Sequence, residues 1–316
     1  MRFSIEHKAK PVLKWAGGKS GSLPQLLENF PGDFCRYVEP FVGGGAVYFA
    51  LNPSIPALIN DSNAELIELY EVIRDTPGRL RAELDQLSKR YSEKFYYELR
   101  ASVLKDKLAR VARMVFLNKT GFNGLYRLNS KGGFNVPFGK RKKCPALYAE
   151  ENLLAVSKRL QSAEITRDDF ERIIDKTRAG DFVYCDPPYH PISATSSFNS
   201  YTAGGFSRKE QTRLKEACKR AADRGVVVAI SNSSAKFILE LYSEWDIKMI
   251  SARRAINSKG TSRGEINETL VILGREAAKT SLISNRDIQA GLKDREDRYP
   301  TLSKDDDRYL SSLKGD

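Results

Sequence analysis

Metal chemistry has little to work with in this chain. Of 316 residues, four are cysteine and two are histidine. Cys35, Cys144, Cys185 and Cys218 are widely scattered, with no Cys-x-x-Cys pair, and only His7 and His190 could add imidazole ligands. Zinc-site spacing is therefore absent, and no metal is expected. Cysteines so placed suit a reduced, cytoplasmic chain that uses them as small buried apolar residues. No apolar run reaches the length of about eighteen residues that a bilayer-spanning helix needs. Met1 to Lys10 shows no apolar stretch of the signal-peptide kind. The dinucleotide fingerprint G-x-G-x-x-G is also missing, which removes the sequence support for a dehydrogenase.

What is present is charge and enough apolar material for a sizeable core. Hydrophobic residues make up 41% of the chain, and the formal charge is +12. The length suits one large domain, or one domain carrying a substantial insertion. A basic balance of this size points to a polyanion, most often nucleic acid.

The most informative motif is Asp186-Pro187-Pro188-Tyr189, directly after the apolar run Phe182-Val183-Tyr184-Cys185. A strand ends and two prolines stiffen the turn. Because proline withholds its N–H, nearby carbonyls can face outward without a local partner. An acid, a free carbonyl and a flat ring together can hold an amino group on an aromatic base. Methylating an exocyclic amine requires such a grip.

Around this motif the chain alternates strands and helices. Strands are expected at Cys35–Phe41, Ala57–Asn60, Ala163–Thr166, Asp181–Cys185, Val226–Ile230, Ile247–Ile250 and Thr269–Leu273, with a helix at Ala46–Leu51. Asp61 or Ser62 is expected to cap the helix carrying Leu66, Tyr70 and Ile73. Ser207 and Glu210 have capping-box spacing. Alternation of this kind argues for a parallel sheet with helices on both faces. Between Thr76 and Leu160 the pattern becomes helical and basic, as expected of an insertion, with Thr76-Pro77 opening a helix. From Arg275 the chain is polar, charged and poorly periodic, and reads as a tail. The expected division is 11–75 and 161–274 for the sheet domain, 76–160 for the insertion, and 275–316 for the tail.

Two further motifs suggest a nucleoside-like ligand. Glu39-Pro40-Phe41-Val42-Gly43-Gly44-Gly45 joins a strand to a helix, and its glycines allow close backbone approach. It is neither a dinucleotide fingerprint nor a P-loop. Asp61 ends the next strand, where an acid can bond ribose hydroxyls. Lys14-Trp15-Ala16-Gly17-Gly18-Lys19 offers an aromatic face and a lysine able to meet a carboxylate. A sulfonium beside that indole would gain cation–π stabilisation.

Together with Asn118–Arg127 (NKTGFNGLYR), Phe134–Gly139 (FNVPFG), Ile192–Phe198 and Ser231–Ser233, these motifs resemble the Dam-type (DpnII-like) DNA adenine N6-methyltransferases in the alpha arrangement. The likeness covers residues 11 to 273. It implies an α/β fold: a Rossmann-like class I S-adenosylmethionine-dependent methyltransferase sheet with a helical target-recognition insertion. It also implies methyl transfer from S-adenosylmethionine to adenine N6 in double-stranded DNA, with GATC as the expected site. Site-specific cofactor contacts carried over are Trp15, Ala16, Gly17, Lys19, Glu39, Phe41, Gly43, Gly45, Asp61, Asp169, Phe170 and Asp186.

The target amine lies inside a stacked pair, so the nucleotide must first be extruded. Tyr189 would stack on the adenine, and Asp186 with the Pro187 carbonyl would accept its N6 hydrogens. Asp186, Pro187, Pro188 and Tyr189 are thus the expected catalytic set. By the same likeness Lys14, Phe122, Asn123, Leu125, Arg127, Pro137, Lys140 and Lys142 face DNA. Phe122 would wedge beside the extruded base, and Arg127 suits a guanine edge. The expected partner is duplex DNA, with no membrane and no obligatory protein partner, so that a monomer is the expected species. The competing readings are N4-cytosine or RNA amino methylation, which Asp-Pro-Pro-Tyr also allows chemically, and a non-catalytic DNA-binding module.

Overall fold

The structure is a computed structural model that describes residues 9–52, 54–129, 132–192, 206–253 and 265–274. Residues 193–198 of the family-like segment and the tail at 275–316 lie outside them. A 3-10 turn at Lys19–Gly21 leads into α1 (Leu23–Asn29). Then come β1 (Arg36–Glu39), α2 (Ala46–Ala50), β2 (Ala57–Asn60) and α3 (Ala64–Asp75). Helices α4 (Pro77–Lys89), α5 (Glu93–Ala101), α6 (Lys107–Thr120) and α7 (Glu150–Leu160) follow. The chain then returns through β3 (Ala163–Thr166), α8 (Phe170–Asp175) and β4 (Asp181–Cys185). It closes with α9 (Arg208–Asp223), β5 (Val227–Ser233), α10 (Lys236–Leu241), β6 (Asp246–Arg253) and β7 (Glu265–Leu273).

The seven strands form one sheet in the order β3-β2-β1-β4-β5-β7-β6. From β3 to β5 every pairing is parallel. The expectation of a parallel sheet is corrected at one edge, where β7 runs antiparallel to both β5 and β6. Parallel neighbours need a crossover of about a dozen residues or more. β6 and β7 are consecutive strands, and an antiparallel pair needs no such crossover.

Alternation along the strands sends side chains to both faces. Val38, Leu58, Val183, Cys185, Val228 and Ile230 pack with α8, α9 and α10. Tyr37, Ile59, Phe182 and Tyr184 belong to the opposite cluster, which continues through Tyr70 into Tyr96 and Phe116. The helices after α3 therefore share an apolar core with the sheet, α4 packing on α6 and α3 on α6 and α7. Among the described residues no helix is long and apolar enough to cross a membrane.

Three local expectations change. The cap of α3 is Asn63, whose side chain accepts from Glu65 and Leu66 N–H, rather than Asp61 or Ser62. Asp61 is drawn off by the glycine turn, as described below. Ser207 accepts from Glu210 N–H at 3.3 Å, but the Glu210 carboxylate pairs with Arg213, so only half of the expected capping box forms. Cys185 and Cys218 are buried, yet Cys35 is exposed and Cys144 half-buried. Cys35 sits where the chain enters β1 from the surface, and Cys144 adjoins an exposed basic stretch.

Candidate active site and nucleic-acid interface

Strand order reverses between β1 and β4, and in open α/β sheets the carboxyl ends of the strands at such a switch point are where ligands bind. The glycine turn leaves β1 there, and Asp186 to Tyr189 leave β4. Lys19 joins them. Only 4% exposed, it donates from Nζ to the Gly17 carbonyl at 2.6 Å and pairs with Asp186 Oδ2 at 2.9 Å. The same ammonium stands 4.8 Å from the centre of the Tyr189 ring.

Asp186 Oδ1 is buried and meets no donor among the described residues. Nor does any described donor reach the Pro187 carbonyl, whereas the Pro188 carbonyl accepts from Gln211 Nε2 at 3.1 Å. Burial pushes the Asp186 carboxyl up to about 6; Lys19 pulls it down and Glu268 pushes it further up. Glu268, on β7, also accepts from the Tyr189 hydroxyl at 2.8 Å. The end of β4 thus holds an acid with one oxygen anchored by Lys19 and the other without a partner among the described residues. Beside it are the Pro187 carbonyl, which no described donor reaches, and the Tyr189 ring.

The glycine turn is fastened by Asp61. Its Oδ2 accepts from Gly43 N–H and its Oδ1 from Asn63 N–H, both at 2.9 Å. These contacts explain why the carboxylate does not cap α3. Burial raises the Asp61 pKa, and the two backbone bonds oppose the rise. Gly43 has φ +48°, and a Cβ there would lie 3.1 Å from Trp15 Cδ1. The Trp15 indole therefore lies directly on the turn. On its other side it meets Tyr126, with ring centres 4.6 Å apart.

Glu39 is 2% exposed and accepts from the Tyr37 hydroxyl at 2.9 Å. Burial holds its carboxyl well above the usual range; the Tyr37 bond opposes this, and Asp186 and Asp61 add to it. Phe41, Phe170 and Phe206 form an aromatic cluster with centres 5.3 to 5.7 Å apart. Asp169 caps α8 through Glu171 N–H and pairs with Arg213, whose guanidinium stands 4.3 Å from the Phe170 ring. The acceptor candidates, Trp15 to Lys19, Gly43 to Gly45 and Asp61 are thus linked by direct contacts. Asp169 belongs with the neighbouring cluster that Phe41 joins.

The DNA-facing candidates gather on a second surface. Isolated bridges pair Gly121 with Phe138 and Leu128 with Phe134, making an irregular hairpin. Phe122 N–H donates to the Pro137 carbonyl at 2.8 Å. Phe122, Asn123, Arg127, Pro137, Lys140 and Lys142 are exposed on it, and Leu125 is half-buried. Arg127 Nε donates to Asn135 Oδ1 at 2.7 Å, which holds the guanidinium beside the hairpin. Lys14 is fastened to the same unit. Buried Asn118 donates to the Lys14 and Gly124 carbonyls at 3.0 Å and accepts from Lys14 N–H at 3.2 Å. Lys119, at the base of the hairpin, is pushed below its ordinary pKa by burial and, secondarily, by the nearby Lys14.

Sequence reasoning gave no role to Gln211, Glu268, Tyr126 or Lys119. Tyr126 and Lys119 stood inside the quoted NKTGFNGLYR stretch, and that was the available signal. Gln211 carried none, since it sits among charged residues that read as surface, and Glu268 carried none, since it adjoins the expected strand as a lone acid between Asn267 and Thr269.

Comparison with known proteins agrees with this geometry. Residues 15–256 match the family model of the D12 class N6 adenine-specific DNA methyltransferases. The chain is 41% identical over 270 residues to the type II methyltransferase M1.LlaDCHI of Lactococcus lactis subsp. cremoris, covering 83% of this chain and 94% of the relative. It is 41% identical over 287 residues to the type II methyltransferase M.MjaIII of Methanocaldococcus jannaschii, covering 84% and 99%. The DNA adenine methylase of Escherichia coli K12 is 33% identical over 271 residues, covering 84% and 95%.

Proposed function

This chain belongs to the D12 class N6 adenine-specific DNA methyltransferases, and we propose that it acts within GATC in duplex DNA, gripping an extruded adenine at Asp186 to Tyr189. It is an adenine-specific DNA methyltransferase that uses S-adenosylmethionine. The site assignments below are proposals built on that membership.

The residues present fit the donor. An indole lies on a glycine turn where a Cβ at Gly43 would crowd it at 3.1 Å, Lys19 offers an ammonium, and Asp61 lines the same turn. Trp15, Ala16, Gly17, Lys19, Gly43, Gly45 and Asp61 would hold it, with Glu39 beneath and Phe41, Asp169 and Phe170 at the adenine side. When bound, S-adenosylmethionine supplies the methyl group as an electrophile.

The protein's own residues do the rest. Tyr189 stacks on the extruded purine. Asp186 Oδ1 and the Pro187 carbonyl accept the two N6 hydrogens, which localises the nitrogen lone pair. Lys19 holds Asp186 Oδ2, so the carboxylate cannot rotate away. Rate enhancement comes from positioning and from fixed dipoles, with no covalent enzyme intermediate. The observation that carries this reading is the buried Asp186 Oδ1, which has no partner within hydrogen-bonding distance among the described residues, next to a Pro187 carbonyl that no described donor reaches, since buried polar atoms are rarely left without a partner.

Residues 76–160 serve as the target-recognition part, with Phe122 as wedge and Arg127 as guanine reader. Lys14, Asn123, Leu125 and Pro137 meet bases beside it, and Lys140 and Lys142 meet phosphates. Each copy carries both surfaces, which supports action as a monomer, and genomic DNA as substrate suits a cytoplasmic enzyme. The GATC assignment is tested by treating methylated plasmid with nucleases that are blocked by, or depend on, adenine methylation at GATC. Protection at GATC is expected; protection at another sequence overturns it.

A further inference from the structure

The turn that carries the acceptor groups is braced from outside, and we propose that Gln211 is a positioning residue that decides which carbonyl of that turn faces the substrate amine. The proposal rests on the reading of Asp186 and Pro187 given above.

Neither Pro187 nor Pro188 has an N–H, so the turn has few backbone donors of its own. Side chains from α9 and β5 hold it instead. Gln211 and Asn232 are both fully buried. Gln211 Nε2 donates to the Pro188 carbonyl at 3.1 Å, while its Oε1 accepts from Asn232 Nδ2 at 3.0 Å. Asn232 Oδ1 then accepts from His190 N–H at 3.1 Å and from Ser233 N–H at 2.9 Å. Ser233 Oγ completes the brace by donating to the His190 carbonyl at 2.6 Å.

This chain of amides has one satisfied sense. Turning the Gln211 amide over would set its oxygen against the Pro188 carbonyl and its nitrogen against the Asn232 amide nitrogen, and both contacts would fail. Gln211 is itself fixed, because its N–H donates to the Ser207 carbonyl at 2.9 Å and Leu214, Ala217 and Cys218 of the same helix are buried in the core. With the Pro188 carbonyl turned toward Gln211, the Pro187 carbonyl is left for the substrate. Among the described residues, no hydrogen bond of this network reaches the methyl donor's candidate residues or the DNA-facing hairpin.

Two variants test the assignment under single-turnover conditions, with donor and DNA saturating. Gln211→Met keeps the bulk and removes the amide. It is expected to slow methyl transfer by about 100-fold, the scale for a misplaced reacting group, while the donor dissociation constant stays unchanged. Gln211→Glu is the sharper probe. A protonated carboxyl can donate to the Pro188 carbonyl and accept from Asn232, as the amide does; a carboxylate cannot donate. Burial holds such an acid above its ordinary pKa. The ratio of the Gln211→Glu rate to the unmodified rate should therefore fall as pH rises, with far-UV circular dichroism constant across the range. A Gln211→Met enzyme with the full rate, or a Gln211→Glu enzyme whose profile tracks the unmodified one, would overturn the proposal. If Gln211→Met does not fold, the Gln211→Glu profile decides alone. Failure of the acceptor reading is distinguishable, because it would show as full activity in Asp186→Ala.

Discussion

Lys19 and Asp186 form an ion pair 2.9 Å long that joins the Trp15 loop to the end of β4. The pair does not fully offset the burial of the acid, whose carboxyl titrates near 6 against an ordinary 3.8. Between those two values the folded chain keeps a proton that the unfolded chain has lost. Stability contributed by this group is therefore present at low pH and lost as pH rises through that window. Asparagine copies the protonated form. Asp186→Asn is expected to be the more stable protein at neutral pH, by roughly 1 to 3 kcal/mol, with the gap closing under acid. Urea unfolding at the two pH values checks this, and a variant less stable at neutral pH would contradict it.

The same titration sets the direction of the pH–rate profile. Asp186 must be ionised to accept an N6 hydrogen at Oδ1, so the single-turnover rate should rise as pH increases through about 6. Because Lys19 lowers that pKa, Lys19→Gln should move the inflection to higher pH. Rate measurements across the acid limb, with donor saturating, read the shift; an unmoved inflection would separate Lys19 from Asp186.

Alanine at Gly43 would have to adopt φ +48° with its Cβ 3.1 Å from Trp15 Cδ1. Left-handed backbone costs a non-glycine residue about 1 to 2 kcal/mol. Displacing the indole adds to that. Gly43→Ala should therefore weaken donor binding by about tenfold or more, while binding of duplex DNA by the hairpin is retained. Calorimetry with S-adenosylmethionine measures the first, and a DNA mobility assay the second.

On the hairpin, Phe122 is 50% exposed and Arg127 is held by Asn135. Phe122→Ala should reduce the fluorescence rise of 2-aminopurine placed at the target adenine. Arg127→Ala should relax sequence choice at one guanine by about 1 to 3 kcal/mol. Lys142→Ala should instead weaken all sequences alike and reduce the slope of log affinity against log salt by about one. A Lys142 effect confined to one sequence would place that lysine at a base edge.

Part of this architecture was legible in the chain alone. β2, β3 and β4 run between the residues expected; β2 and β4 are short, largely apolar runs closed by turn formers, and β3 is an alternating one. The Asp-Pro-Pro-Tyr turn and the glycine turn were legible from their turn formers, and their place at the switch point follows from strand order. The reversed β7 was not, since an alternating or apolar strand pattern reads the same in either direction. The cap of α3 is expected at Asp61 or Ser62 and falls on Asn63, one signal the chain alone did not carry being that Gly43 N–H claims the Asp61 carboxylate. Gln211 was invisible because its helix reads as charged surface on either side, and only the fold turns it toward Pro188.

The most direct test of the central claim is nucleoside mass spectrometry of GATC-containing duplex DNA after incubation with the enzyme and S-adenosylmethionine, beside the folded Asp186→Ala variant. N6-methyladenine should accumulate with the unmodified enzyme and be absent with the variant. Methylation of cytosine, or equal N6-methyladenine from Asp186→Ala, would contradict the account.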